Sequence, residues 1–184
     1  CRLVPTTVMD LMKAKREQGF PEVRRPKREI WIEPTIEDIE RFYEERIRLA
    51  DRIGVDIETS GNQVTCIGFS VGRDCAIVIP FYDGRKAKRS YWGSGELEVQ
   101  AWNLVKRILQ SPKPPKIFQN GLYDIAFLWR SVGIPVYGAT EDTMLLHHAL
   151  QPESLKSLGF LGSIYSDEGA WKQERKVTTI KRDE

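Results

Sequence analysis

The chain has 184 residues and a mass of 21.2 kDa, with 41% apolar and 29% charged residues. That is the size of one ordinary domain and a globular composition, which excludes a wholly disordered or collagen-like chain. Lys and Arg number 28 against 26 Asp and Glu, a net charge of +2, which excludes a histone-like polycation but not a nucleic-acid enzyme with local basic groups.

Residues 1–35 contain Pro5, Pro21, Pro26 and Pro34 and show little periodicity. They read as an N-terminal arm or linker with room for one short helix, Val8 to Arg16. Thr35 and Asp38 then match the S/T-x-x-D/E start of a helix. Ile36, Ile39, Phe42, Tyr43, Ile47 and Ala50 recur at helical spacing, so this helix is expected to reach about Asp51. A strand follows at Ile53 to Thr59. Val64 to Val71 and Cys75 to Phe81 read as a hairpin around Gly72-Arg73-Asp74.

Residues 82–95 form a Gly-, Ser- and Lys/Arg-rich loop. Its stretch from Gly84 to Ser90 holds four basic residues and no acid. It is either a solvated surface or a phosphate contact through Lys86 and Lys88. Leu97 to Leu109 is helical, ended by the prolines at 112, 114 and 115. Lys116 to Gln119 is a brief strand, Gly121 to Val132 a helix stopped by Gly133, and Ile134 to Tyr137 an extended segment. Asp142 to Leu150 and Leu155 to Tyr165 are helices, and residues 166–184 carry no clear period. The order β-β-β-α-β-α-β-α predicts a layered α/β domain with a mixed sheet.

The cysteines are Cys1, Cys66 and Cys75, an odd number with no C-x-x-C pair. Cys66 and Cys75 lie in apolar runs and read as reduced core residues of an intracellular, cytoplasmic protein. No run of about 18 apolar residues is present, so no membrane partner is expected. The chain shows no leader and starts at Cys1, which reads as a piece of something longer.

Three groups of residues carry chemistry. Asp56 and Glu58 stand at i and i+2 in an otherwise apolar strand, so they share one face while Val55 and Ile57 point the other way. Paired carboxylates in a central strand call for a compensating cation, and hard oxygen donors suit Mg²⁺ or Mn²⁺. An edge strand with its polar face in water is the plain alternative. Asn120 and Asp124 flank Gly121-Leu122-Tyr123 where a strand turns into a helix. They share a helical face, or serve as an N-cap and a first-turn dipole partner. Asp142 opens the next helix and reads most simply as its N-cap. His147 and His148 point about 100° apart on a helix, so one is expected packed and the other exposed.

Together, Asp56-Ile57-Glu58-Thr59, Asn120-Gly121-Leu122-Tyr123-Asp124 and Asp142-Thr143-Met144-Leu145 resemble the 3′→5′ exonuclease domain with four catalytic acids on a ribonuclease-H-like fold. Within that superfamily the chain most resembles the proofreading domain of family A DNA polymerases, over roughly residues 36–165. The resemblance implies an α/β ribonuclease-H-like mixed sheet flanked by helices, with residues 36–184 as the exonuclease-like domain and 1–35 as an unassigned arm. It implies catalytic, metal-holding roles for Asp56, Glu58 and Asp124. It places Thr59 near the substrate's 3′ end, Asn120 near the phosphate backbone, and Asp142 in a structural position. The implied cofactors are two divalent ions, Mg²⁺ or Mn²⁺, about 4 Å apart, for hydrolysis of phosphodiesters. The implied partners are the 3′ end of single-stranded DNA and a polymerase domain of the same parent chain.

The family's third motif, Tyr-x-x-x-Asp or His-x-x-x-x-Asp, is missing. Tyr165 is followed four residues on by Gly169; His147 and His148 are followed five on by Pro152 and Glu153. Either the domain is truncated at its C-terminus or its site is degenerate. Both imply weak metal binding and weak cleavage by this chain. A ribonuclease-D-like RNA exonuclease and an inactive nucleic-acid-binding module are the alternative functions.

Overall fold

A computed structural model describes residues 4–20 and 27–166. They fall into two compact units: Pro26–Thr143, and the described parts of 1–25 and 144–184.

The larger unit is built on six strands: β1 (Glu29–Trp31), β2 (Ile53–Ser60), β3 (Gln63–Ser70), β4 (Cys75–Pro80), β5 (Lys116–Phe118) and β6 (Ala139–Asp142). Their order across the sheet is β1-β4-β3-β2-β5-β6. Strand β3 is antiparallel to both neighbours, and every other pairing is parallel. Five strands therefore end at one edge of the sheet. The register stacks one apolar face: Val55 faces Phe69, which faces Ile77, and Ile57 faces Ile67, which faces Ile79. All six are buried.

Helices α2 (Ile36–Glu45) and α3 (Gly95–Gln110) pack on each other and feed Ile39, Phe42, Ala101, Val105 and Ile108 into the same core. The α2 start is a complete capping box. Thr35 Oγ1 accepts from the Asp38 N–H, and the Asp38 carboxylate accepts from the Thr35 N–H. Helix α4 (Gly121–Val132) touches β2 and β3. Gly133, at φ +66°, ends it in a left-handed cap.

Several boundaries differ from the sequence reading. Helix α2 ends at Glu45, and Ile47–Leu49 form a separate 3₁₀ turn. Strand β1 lies in the stretch read as an arm. It has only three residues, two of them exposed, and its pairing comes from the distant β4, so no local alternation announces it. Ile134 to Tyr137 is not a strand; pairing begins at Ala139. Between them Gly138 turns at φ +69°, where a Cβ would sit 2.4 Å from the Pro112 carbonyl oxygen. A second hairpin, β2–β3, was also missed. Cys66 and Cys75 are half-buried free thiols: Cys66 lies on the less covered face of β3, opposite Ile67 and Phe69, whereas Cys75 opens β4 on the same face as Ile77 and Ile79 and packs against the core.

In the smaller unit, α1 (Val4–Glu17) packs on α6 (Leu158–Tyr165). Lys13 Nζ donates to the Ser163 and Ser166 carbonyls at 2.9 and 3.0 Å, closing the C-terminal end of α6. Helix α5 (Thr143–Leu150) carries His147, buried with its Nδ1 3.0 Å from the Tyr165 hydroxyl, and His148, exposed. Cys1, Asp167 and Asp183 lie outside the described residues. No described helix is long and apolar enough to cross a membrane.

Candidate active site

The carboxyl edge of the parallel strands is where open α/β sheets place their ligands. Four of the candidate segments meet that edge: the end of β2, the β5–α4 turn, the end of β6 and the loop after β4. Strand β2 is central, flanked by β3 and β5, so the edge-strand reading of Asp56 and Glu58 does not hold. Their side chains are nonetheless exposed on the face opposite buried Val55 and Ile57. Strand β5 pairs with β2 only at Ile53 and Gly54, which leaves the second half of β2 unpaired on that side.

Asp124 stands in the first turn of α4 and is only 5% exposed. Burial pushes its carboxyl up to about 6, and the negative charge of Asp56 adds to the rise. A hydrogen bond from the Ile57 backbone N–H works in the opposite direction, and Asp142 contributes a last, weaker push upward. Strand β2 and helix α4 thus put Asp56 and Asp124 in one another's field, with Glu58 two residues along the same face.

The start of α4 is held from outside the helix. Asn120 occupies the cap position in the left-handed region at φ 61° and makes no side-chain cap bond. The Asp142 carboxylate supplies the acceptors, taking the Gly121 N–H at 2.7 Å and the Asn120 N–H at 3.1 Å. Gly121 allows this approach, since a Cβ there would lie 2.4 Å from Phe118 Cβ. Asp142 immediately precedes α5, but its carboxylate caps α4. Asp142→Ala is expected to cost about 2 kcal/mol, the scale of losing charge-assisted hydrogen bonds to two helix-start donors. Asp142→Asn should recover part of it in urea unfolding; an Ala variant as stable as the parent would contradict the cap.

Thr59 Oγ1 lies 3.0 Å from the Tyr123 hydroxyl, joining β2 to the first turn of α4. Tyr123 is half exposed, and the sequence reading gave it no role. Cys66 was also missed at this site. It pairs directly with Glu58 across the β2–β3 hairpin, so both side chains share a face. Burial, then the Glu58 charge, raises its thiol above the ordinary range. Recognising the Gly61-Asn62 turn would have placed Cys66 there.

The basic loop follows β4 at the same edge, closed by a bridge between Tyr82 and Ser90. Two of its four basic residues, Arg85 and Lys86, are engaged within the protein. Arg85 binds Asp83 through Nε and Nη2 and reaches Glu33 at 3.0 Å, and the Arg85 side-chain and backbone bonds to Asp83 hold its carboxyl down to about 2. Lys86 donates to the Tyr91 carbonyl and sits 4.9 Å from the centre of that ring. The structure ties Lys86 to Tyr91 and not to the carboxylates, while Lys88 is exposed in the loop.

Among the described residues, no three His, Cys, Asp or Glu side chains converge into a ready cation cage. The donor chemistry still fits a hard divalent ion. Asp124 is a buried carboxyl destabilised in its charged form by a second carboxylate, and a bound cation would reverse that penalty.

The fold has known counterparts. The Aedes aegypti Nibbler EXO domain superposes with a TM-score of 0.58 at 14% identity, over 84% of this chain and 76% of that one. The POL domain of Pol1 from M. smegmatis gives 0.54 at 19% identity, over 74% and 22%. Brucella melitensis NrnC gives 0.50 at 17% identity, over 78% and 63%. The chain thus spans less than two thirds of the NrnC length. No curated protein sequence matches it. At these identities the likenesses establish a ribonuclease-H-like exonuclease fold. The family model described as 3′-5′ exonuclease matches residues 32–176. The chain belongs to that 3′-5′ exonuclease domain family.

Proposed function

We propose that this chain is a 3′→5′ exonuclease domain that removes nucleotides from the 3′ end of single-stranded DNA, as the proofreading part of a DNA polymerase. The observation that supports it is the meeting of Asp56 and Asp124 at the carboxyl edge, with the Asp124 carboxyl pushed up to about 6 by burial and by Asp56. In this reading Asp56, Glu58 and Asp124 hold Mg²⁺ or Mn²⁺, the ions named in solved structures of NrnC and the EXD2 exonuclease domain. Two such ions, when bound, lower the pKa of an attacking water and neutralise charge on the phosphodiester. Thr59, held by Tyr123, and Asn120 contact the 3′ end and its phosphates, and Lys86 and Lys88 follow the strand further out.

Choosing DNA over RNA draws support from the Pol1 likeness, since that structure carries a DNA primer-template. We place the domain from β1 onward, with the arm before it and a polymerase domain elsewhere in the parent chain.

The test is a nuclease assay on 5′-labelled single-stranded DNA with Mn²⁺, with Asp56→Ala as control. A ladder shortening slowly from the 3′ end, absent in Asp56→Ala, is expected. A ladder of equal strength in both proteins would sink the assignment. RNA of the same sequence separates the substrates: faster cleavage of RNA would replace the proofreading role with RNA trimming.

A further inference from the structure

The β2–β3 ladder is irregular at the candidate site. Glu58 pairs with Cys66, but the next pair is Thr59 with Val64. Thr65 is therefore the extra residue of a β-bulge. Bulges interrupt the ladder, bend the strand and re-aim nearby side chains. This one falls beside Glu58, which the proposed function makes a metal-holding acid.

Thr65 is bonded at both ends. Its Oγ1 donates to the Glu58 carbonyl at 3.0 Å. Its own carbonyl accepts two N–H groups, from Phe81 at 2.8 Å and Tyr82 at 3.1 Å. One residue thus ties the Glu58 peptide to the start of the loop that follows β4. The hydroxyl gives the Glu58 carbonyl a donor where the ladder is broken. A regular register would also move Val64, which is buried, to the open face. The bulge lets the core keep Val64 while the strand bends at Glu58.

We propose that Thr65 is a positioning residue: its hydroxyl locks the bulge and so sets the direction in which Glu58 and Thr59 project. The inference rests on the proposed function for the use of Glu58, but the lock itself is a property of the backbone. Serine keeps the hydroxyl and valine keeps the shape, so the two substitutions separate bonding from packing.

The experiment compares the parent chain with Thr65→Val, Thr65→Ser and Glu58→Gln. Hydrogen exchange at the Thr59 amide, which shares its peptide with the Glu58 carbonyl, reads the lock without any metal. It should speed up about five-fold in Thr65→Val, the factor one ordinary hydrogen bond carries, and return to within about two-fold of the parent in Thr65→Ser. The ¹³C resonance of the Glu58 carboxyl should shift in Thr65→Val and not in Thr65→Ser. Unchanged exchange and an unchanged carboxyl resonance in a folded Thr65→Val would overturn the proposal. So would equal changes in both variants. Titration with Mn²⁺ then reads the link to function. Thr65→Val should weaken binding in the same direction as Glu58→Gln. If Glu58→Gln leaves Mn²⁺ binding unaltered, the metal role of Glu58 fails while the exchange data still decide the lock.

Discussion

Asp124→Asn is expected to stabilise the metal-free protein at neutral pH and to abolish metal-dependent cleavage. The Asp124 carboxyl titrates at about 6 in the folded protein instead of near 3.8. Its folded value is raised, so the unfolded chain binds fewer protons between those two values. Stability from this group is fully present below about pH 4 and is lost as pH rises through about 6. Above that point the charged carboxyl costs on the order of 2–3 kcal/mol. An amide of the same shape carries no such charge. Its oxygen can still accept from the Ile57 N–H, and the repulsion from Asp56 is gone. For a chain of this length, about 2 kcal/mol corresponds to a Tm higher by roughly 5 °C. Thermal unfolding with EDTA at pH 7.5 should show that gain, and at pH 4 the two proteins should coincide. Saturating Mn²⁺ should narrow the gap by stabilising the parent alone. A variant less stable than the parent at pH 7.5 would mean that Asp124 is a structural acceptor and not a strained acid. Stability lost to a site is common where catalysis needs buried charge.

The pattern of acids was legible in the sequence because strand alternation and helix period convert spacing into direction. Asp56 and Glu58 project away from Val55 and Ile57 as the alternation requires, and Thr35 with Asp38 forms its capping box. Contacts between distant segments were not legible. The β1–β4 pairing joins residues far apart in sequence, with no turn between them to fix a register. The second carboxylate role at the site, Asp142 capping α4, reaches across 21 residues to Gly121. A local reading can only assign it to the helix it precedes. The internal partners of the basic loop were not legible either: composition counts Arg85 and Lys86 as charges, while only the fold shows Arg85 paired with Asp83 and Glu33 and Lys86 set over Tyr91. The bulge at Thr65 was invisible as well, because it depends on recognising β2–β3 as a hairpin and then on finding one residue too many in it.

Lys116 should give the protein an unusual rise in stability under alkaline conditions. It is fully buried at the start of β5, where nothing in the apolar run around it signals a need for charge. Its ammonium donates to the carbonyls of Ser111 and Pro114, and so fastens the turn that precedes its own strand. Desolvation lowers its pKa to about 8. The folded value is depressed, so between about pH 8 and 10.5 the unfolded chain holds the proton that the folded chain has released. Stability therefore increases with pH across that window, by on the order of 3 kcal/mol. The neutral amine keeps two hydrogens to donate, so both carbonyls stay satisfied after the proton leaves. Lys116→Met removes the titration and the donors together. At pH 7.5 the two losses oppose each other: the variant escapes the cost of a buried charge but leaves two carbonyls without a donor, at about 1–3 kcal/mol each. The parent and variant should lie close together there. By pH 10 the parent should be the more stable, with the difference read from urea unfolding at both values. A difference that does not grow with pH would show that the buried lysine remains protonated throughout, its charge fully compensated by the carbonyls around it.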